Sequence, residues 1–260
     1  MQLFDAHCHL QDEKLAGDLA GVMARAAAAG VAGAMCCGSA EGDWPATLAV
    51  AEKYPHVQIS LGLHPWYFGE RRPGWLDRLR ALVVAYPRAG VGEIGLDHAL
   101  ENADLVVQEQ VFLDQFALSI ELCRPASLHC PRAFGRLLEL LPRFPQHPAG
   151  FVIHSFSGAA ELIAPLAKFG AFFSFSGSIT RSGNRRGHAA LRTVPADRLL
   201  LETDSPDLMP VIAGHGPEGP NEPANLVHVL RAAADLRGVP EADLAAQTWA
   251  NARRLFQASG

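Results

Sequence analysis

Short apolar runs alternate with longer amphipathic stretches from one end of the chain to the other. The runs at 3–6, 31–36, 57–61, 90–94, 126–129, 151–154, 171–175 and 199–202 have the length and composition of buried strands. Between them, stretches such as 15–29, 76–85, 106–122 and 159–169 carry helical periodicity. Gly30, Gly90, Gly150 and Gly170 each stand just before a strand, where a glycine ending a helix belongs. Eight strands with helices between them predict an α/β chain folded as a closed (β/α)8 TIM barrel. Residues 1–260 read as one such domain, with no repeat, linker or low-complexity tract. Tail helices at about 224–237 and 241–255 would complete the outer ring. An open doubly wound sheet is the alternative.

Polar residues end several of these apolar runs. His7 and His9 close the first, Glu93 lies near the end of the fourth, and His129 ends the fifth. His154 ends the sixth, and Asp204 follows the eighth. In a (β/α)8 barrel the C-terminal rim of the strands carries the site. A histidine ending one apolar strand is usually a satisfied core residue; four of them with two carboxylates at one rim are not so readily dismissed. Strand alternation places His7 and His9 on one face, within reach of one ion. Asp5 shares that spacing and is expected to support a ligand rather than to be one.

Four imidazoles and two carboxylates exceed what one tetrahedral ion with an open position needs. Divided between two ions they predict a two-metal hydrolytic centre, with Glu93 as the bridge and Asp204 as ligand and proton acceptor. Imidazole suits Zn²⁺ or Mn²⁺, and the carboxylates leave Mg²⁺ open.

Composition narrows the setting. With 49% apolar residues the chain can build a large core, and its formal charge of −5 argues against a broad basic surface for gripping duplex DNA. The five cysteines are odd in number, and Cys36 and Cys37 are adjacent and read as small apolar residues at a strand end. A disulfide scaffold is therefore not expected, nor is a leader or membrane span, and a cytoplasmic setting follows. No motif points to an obligate protein partner.

The ordered motifs carry a family resemblance. Asp5-Ala-His7-Cys-His9, Gly62-Leu-His64-Pro65, Gly92-Glu-Ile-Gly-Leu-Asp97 and His154-Ser-Phe-Ser-Gly158 occur in that order. Leu201-Glu-Thr-Asp-Ser-Pro206, Asn221-Glu-Pro223 and Asn251-Ala-Arg-Arg-Leu-Phe256 follow. Over essentially its whole length the chain resembles the TatD-related metal-dependent hydrolases, within the amidohydrolase-like barrels. That resemblance implies two divalent cations and phosphodiester hydrolysis, typically a 3′-to-5′ deoxyribonuclease acting on single-stranded DNA ends. It also implies His7, His9 and Asp204 on one ion, His129 and His154 on the other, and Glu93 between them. Two departures concern arginines that the family usually carries; Pro131 and Pro220 occupy those places, and Arg132 is displaced by one. Hydrolysis of an amide or an ester, such as an aminoacyl linkage, on the same site is the alternative. A metal-stabilised binding module is the non-enzymatic one.

Weaker signals surround the set. His64 is expected either to donate a hydrogen bond to the substrate or transition state or to be a buried structural residue. Asp97 is expected to support Glu93 or its turn. Trp66, Tyr67 and Phe68 suit either base stacking or an apolar lid. Arg181, Arg185 and Arg186 read as a phosphate-binding loop or as a solvated helix start. His98, His188, His215 and His228 read as surface residues.

Overall fold

The computed structural model describes residues 1–101, 104–212 and 219–256. Its eight strands are β1 (Leu3–Cys8), β2 (Val31–Gly38), β3 (Val57–Leu61) and β4 (Gly90–Gly95), then β5 (Ala126–His129), β6 (Phe151–Ile153), β7 (Ala171–Phe175) and β8 (Leu199–Leu201). Each pairs in parallel with the next, in the sequential order β1 to β8. The open-sheet alternative fails here, because a doubly wound sheet reverses its strand order. The ring closes beyond the ends of the last ladder. Asp204 N donates to His7 O (2.9 Å), and His9 N donates to Ser205 O (2.7 Å).

Asp5 reinforces this seam. Its Oδ1 accepts from Thr203 N (2.9 Å) and its Oδ2 from Thr203 Oγ1 (2.5 Å). The expected common face of Asp5, His7 and His9 is broken by a bulge. Asp5 pairs with Ala34 but Cys8 pairs with Cys36, so three residues of β1 span two of β2. Ala6 packs in the cluster that holds Phe4, Met35 and Cys37, whereas Cys8 packs in the layer under the helices. The slip takes Asp5 out of phase with the two histidines.

The helices are α1 (Glu13–Ala16), α2 (Leu19–Ala28), α3 (Trp44–Lys53), α4 (Trp75–Ala85), α5 (Leu105–Glu121), α6 (Phe134–Leu140), α7 (Ile163–Ala167), α8 (Arg185–Thr193), α9 (Leu226–Arg237) and α10 (Glu241–Phe256). The stretch read as one helix over 15–29 is two, because Asp12 caps α1 and the chain leaves helical geometry at Asp18 before α2 begins. Over 159–169 a 3-10 turn at Ala160–Leu162 precedes the short α7. Gly30, Gly150 and Gly170 adopt left-handed φ values of +88°, +79° and +102°. Gly90 does not; it opens β4, and a Cβ there would lie 2.8 Å from Pro125 O.

α9 joins the outer ring, with Leu226, Val229 and Leu230 in the layer between strands and helices. α10 departs from the expectation. Its Ala252, Leu255 and Phe256 pack with Phe4, Val152, Phe172 and Leu200, sealing the floor of the barrel. The Phe4 and Phe256 rings stack 5.6 Å apart. α5 reaches across two strand ends. Gln115 accepts from Leu63 N (2.7 Å) and donates to Leu63 O (3.1 Å), while Gln108 accepts from Asp97 N (2.9 Å). These clips hold the loops that carry His64 and Asp97. Among the described residues no helix is long and apolar enough to cross a membrane.

His147 gives the fold an acid limit. It is buried against Phe116 and Phe151, with Nε2 2.9 Å from Ser119 Oγ. Burial pushes its pKa from 6.5 down to about 4. The native state therefore stays neutral there while the unfolded chain takes up a proton. Stability is intact above pH 6.5 and falls between pH 6.5 and 4, by roughly 2–3 kcal/mol from this group. Chemical denaturation at pH 7 and pH 4.5 should show a smaller loss in His147→Gln than in the wild type. Equal losses would rule out this group as the source.

Candidate metal centre

The predicted residues converge at the C-terminal mouth of the barrel. His7, His9, Glu93 and His129 stand on or just past β1, β4 and β5, while His154 follows β6 and Asp204 follows β8. Glu93 lies at the middle, and its two oxygens face different partners. Oε2 is 3.3 Å from His7 Nε2 and 3.4 Å from His9 Nε2. Oε1 is 2.8 Å from His154 Nε2, 3.1 Å from His129 Nδ1 and 3.2 Å from His64 Nε2. Asp204 Oδ1 joins the first group at 3.7 Å from both His7 Nε2 and His9 Nε2.

The neighbours of each ring decide which nitrogen is bare. His9 Nδ1 lies 2.8 Å from Cys37 O, which accepts its proton and leaves Nε2 as a lone pair. His129 Nε2 lies 3.2 Å from Asp97 Oδ2, so its Nδ1 faces the centre unprotonated. His64 is the reverse. Its Nδ1 accepts from Trp66 N (3.1 Å), so Nε2 carries the hydrogen and points it at Glu93. A nitrogen carrying a hydrogen donates and does not ligate. His64 is thus set up as a donor, though it is also fully built into the wall.

Backing groups hold the rest. Asp97 accepts from Trp66 Nε1 (2.8 Å) and from Ala99 N (2.8 Å) as well as from His129, so it supports the turn after β4, as expected, and serves His129 rather than Glu93 itself. Asp204 sits at a left-handed φ of +56°, a conformation that needs external support in a non-glycine residue. Asn221 Nδ2 donates to Thr203 O (2.9 Å), and Asp5 holds Thr203 from the other side. Glu202 is a residue that the sequence reading passed over. It is fully buried, accepts from Ser155 N (2.7 Å) and from Ser174 Oγ, and lies 3.5 Å from His154 Nδ1. A carboxylate ending an apolar strand beside the Thr203-Asp204 pair was the available signal.

The electrostatics demand positive charge. Burial opposes ionisation of Glu93, but the surrounding His64, His154 and His7 hold its carboxyl well below the usual range. Burial is likewise outweighed at Asp204, where His9 and its neighbours hold the carboxyl down. Burial favours a neutral His9, yet Asp204 and Glu93 push its pKa up to about 9. The same contest raises His154, through Glu93 and Glu202. His7 is pushed down by burial, and His64 falls to about 4 for the same reason. Paired carboxylates and bare nitrogens together make a group of side chains able to hold metal ions. Nitrogen and carboxylate oxygen atoms lie within 4.8 Å of one another in three groups, His7 with His9 and Asp204, His7 with His154 and Glu202, and Glu93 with His129 and the donor His64.

A cavity of about 410 Å³ opens over the centre. Trp66 and Tyr67 line it; Phe68 does not, being half-buried at the start of a 3-10 turn. Arg185 and Arg186 are the first residues of α8, capped by Asn184, so the helix-start reading holds for them. Arg132 and Arg181 are exposed and lie off the cavity wall. His98 is exposed as expected, but His188 and His228 are half-buried, and His188 Nε2 lies 2.8 Å from Ile179 O. His215 lies outside the described residues.

The chain is similar to known proteins over nearly its whole length. The chain is similar to the 3′-5′ ssDNA/RNA exonuclease TatD of Salmonella typhimurium, with 34% identity over 98% of this chain and 99% of that one. It is 31% identical to the uncharacterized metal-dependent hydrolase YabD of Bacillus subtilis, over 98% and 99% of the two chains. The solved structure of YJJV, a TatD homolog from Escherichia coli K12, superposes with a TM-score of 0.92 at 28% identity, covering 98% of both chains. The profile described as TatD related DNase matches residues 4–257, and with these ordered motifs and this rim the chain belongs to that family.

Proposed function

We propose that the protein is a divalent-metal-dependent hydrolase that degrades single-stranded nucleic acid from its 3′ end. The observation that carries this reading is the division of Glu93, with one oxygen toward His7, His9 and Asp204 and the other toward His129 and His154. His7, His9 and Asp204 would hold one cation and His129 and His154 a second, with Glu93 available to both. Zn²⁺ and Mn²⁺ suit the imidazole-rich set best, and Mg²⁺ remains compatible with its carboxylates. When bound, the ions lower the pKa of water and stabilise charge developing on phosphate oxygens.

The chain's own residues supply the rest. Asp204 is ionised and reaches the cavity wall, where it accepts the proton of the attacking water. His64, neutral and with its hydrogen on Nε2, donates to Glu93 Oε1 and holds that carboxylate in place. Asp97 and Glu202 keep His129 and His154 in register. The reading places the protein in the cytoplasm, where the free thiols of Cys8, Cys36, Cys37 and Cys130 stay reduced.

Amide or ester hydrolysis on the same centre is the second reading, and the acidic cavity rim favours it. A panel run in Zn²⁺, Mn²⁺ and Mg²⁺ separates the two. Mononucleotide release from a 3′-labelled single strand is expected to exceed turnover of aminoacyl esters and amides. Chelation should abolish it, and ester turnover without nucleotide release would reverse the assignment.

A further inference from the structure

Nucleases usually hold a strand through cationic side chains on its phosphates. This cavity offers the opposite sign. Asp12, Glu13, Asp43, Glu70 and Asp207 line it, and among the described residues no lysine or arginine does. Lys14 beside the rim pairs with Asp207 at 3.2 Å.

The wall offers an aromatic surface instead. Trp66 is 56% exposed, although its backbone N is bonded to His64 and its Nε1 to Asp97. A large apolar ring left in water while held in one orientation is prepared for a ligand. It stands edge-on to His64 at 4.9 Å and to His129 at 5.9 Å, beside the Oε1 side of Glu93. Tyr67, 36% exposed, continues the wall. We infer that Trp66 is the platform on which the 3′-terminal base stacks, and that this stacking, rather than phosphate contacts to basic side chains, supplies the grip on the strand. The inference rests on the nuclease reading above. Every base has a π-face, so the grip tolerates any sequence.

KM compared between an oligothymidylate and the same strand ending in an abasic residue tests this. The abasic end should raise the wild-type KM about tenfold, within the range that base stacking on an aromatic ring supplies. In Trp66→Leu the ratio should fall to about one, and Trp66→Phe should keep most of it. Added salt should leave KM level or lower it, since no counterions are released from basic contacts. An active Trp66→Leu enzyme with the wild-type ratio, or a KM that climbs steeply with salt, overturns the inference. If no strand is cut in any metal, the nuclease reading fails by itself. The platform is then judged by fluorescence, because thymidine 5′-monophosphate should quench the wild type but not Trp66→Phe, and absence of quenching in the wild type overturns it.

Discussion

Asp204→Asn is expected to lower kcat by about 10²–10⁴-fold while leaving the barrel folded. Asparagine keeps the shape and a carbonyl acceptor but cannot take a proton. Asp204 is the member of the carboxylate pair closer to solvent, with 14% of its side chain exposed against 4% for Glu93. Its neighbours His9, His154 and His7 keep it ionised, so it is unprotonated at neutral pH. The backbone at this position is fixed by the bond from Asp204 N to His7 O, which the substitution does not touch. Asp204 is also proposed as a ligand, so the two roles must be separated. Activity of the variant at saturating Mn²⁺ does this. Recovery to near the wild-type rate would show that the carboxylate only binds the ion and has no part in moving the proton.

Glu93→Gln is expected to cost about 10²–10³-fold or more in kcat/KM, and added metal should not restore it. The amide presents one neutral oxygen where the carboxylate presents two charged ones, between nitrogen groups at 2.8–3.4 Å. It cannot serve two cations at once. The metal content of the purified variant, measured by elemental analysis, should fall from about two ions per chain to one or fewer. A variant that retains both ions and most of its activity would remove Glu93 from the bridging position. The contrast between the variants is informative, because loss at Asp204 is expected to leave the ions largely in place while loss at Glu93 is not.

Much of the fold was legible because strand ends and helix ends are written locally. The apolar runs located all eight strands, and at 57–61, 126–129 and 171–175 the expected and observed limits coincide. Helices were less legible. α10 has an ordinary amphipathic pattern, and nothing local tells a helix on the outer ring from one that plugs the floor. That choice belongs to Phe4, whose ring meets Phe256 from the far end of the chain. The bulge in β1 was equally hidden, since periodicity cannot report how many residues a partner strand sets opposite.

By itself the sequence determined the class of the molecule and which histidines and carboxylates meet at the mouth of its barrel. Barrel strands end at one rim, so any histidine or carboxylate that ends a strand must arrive there, whatever its neighbours. Only the tertiary structure decided how those residues are used. The two faces of Glu93, the hydrogen on His64 Nε2, the buried support of Glu202 and the transfer of Asp5 to the seam all depend on partners from other strands. Rotamers and ring protonation answer to hydrogen bonds across the barrel, and a linear pattern does not contain those distances.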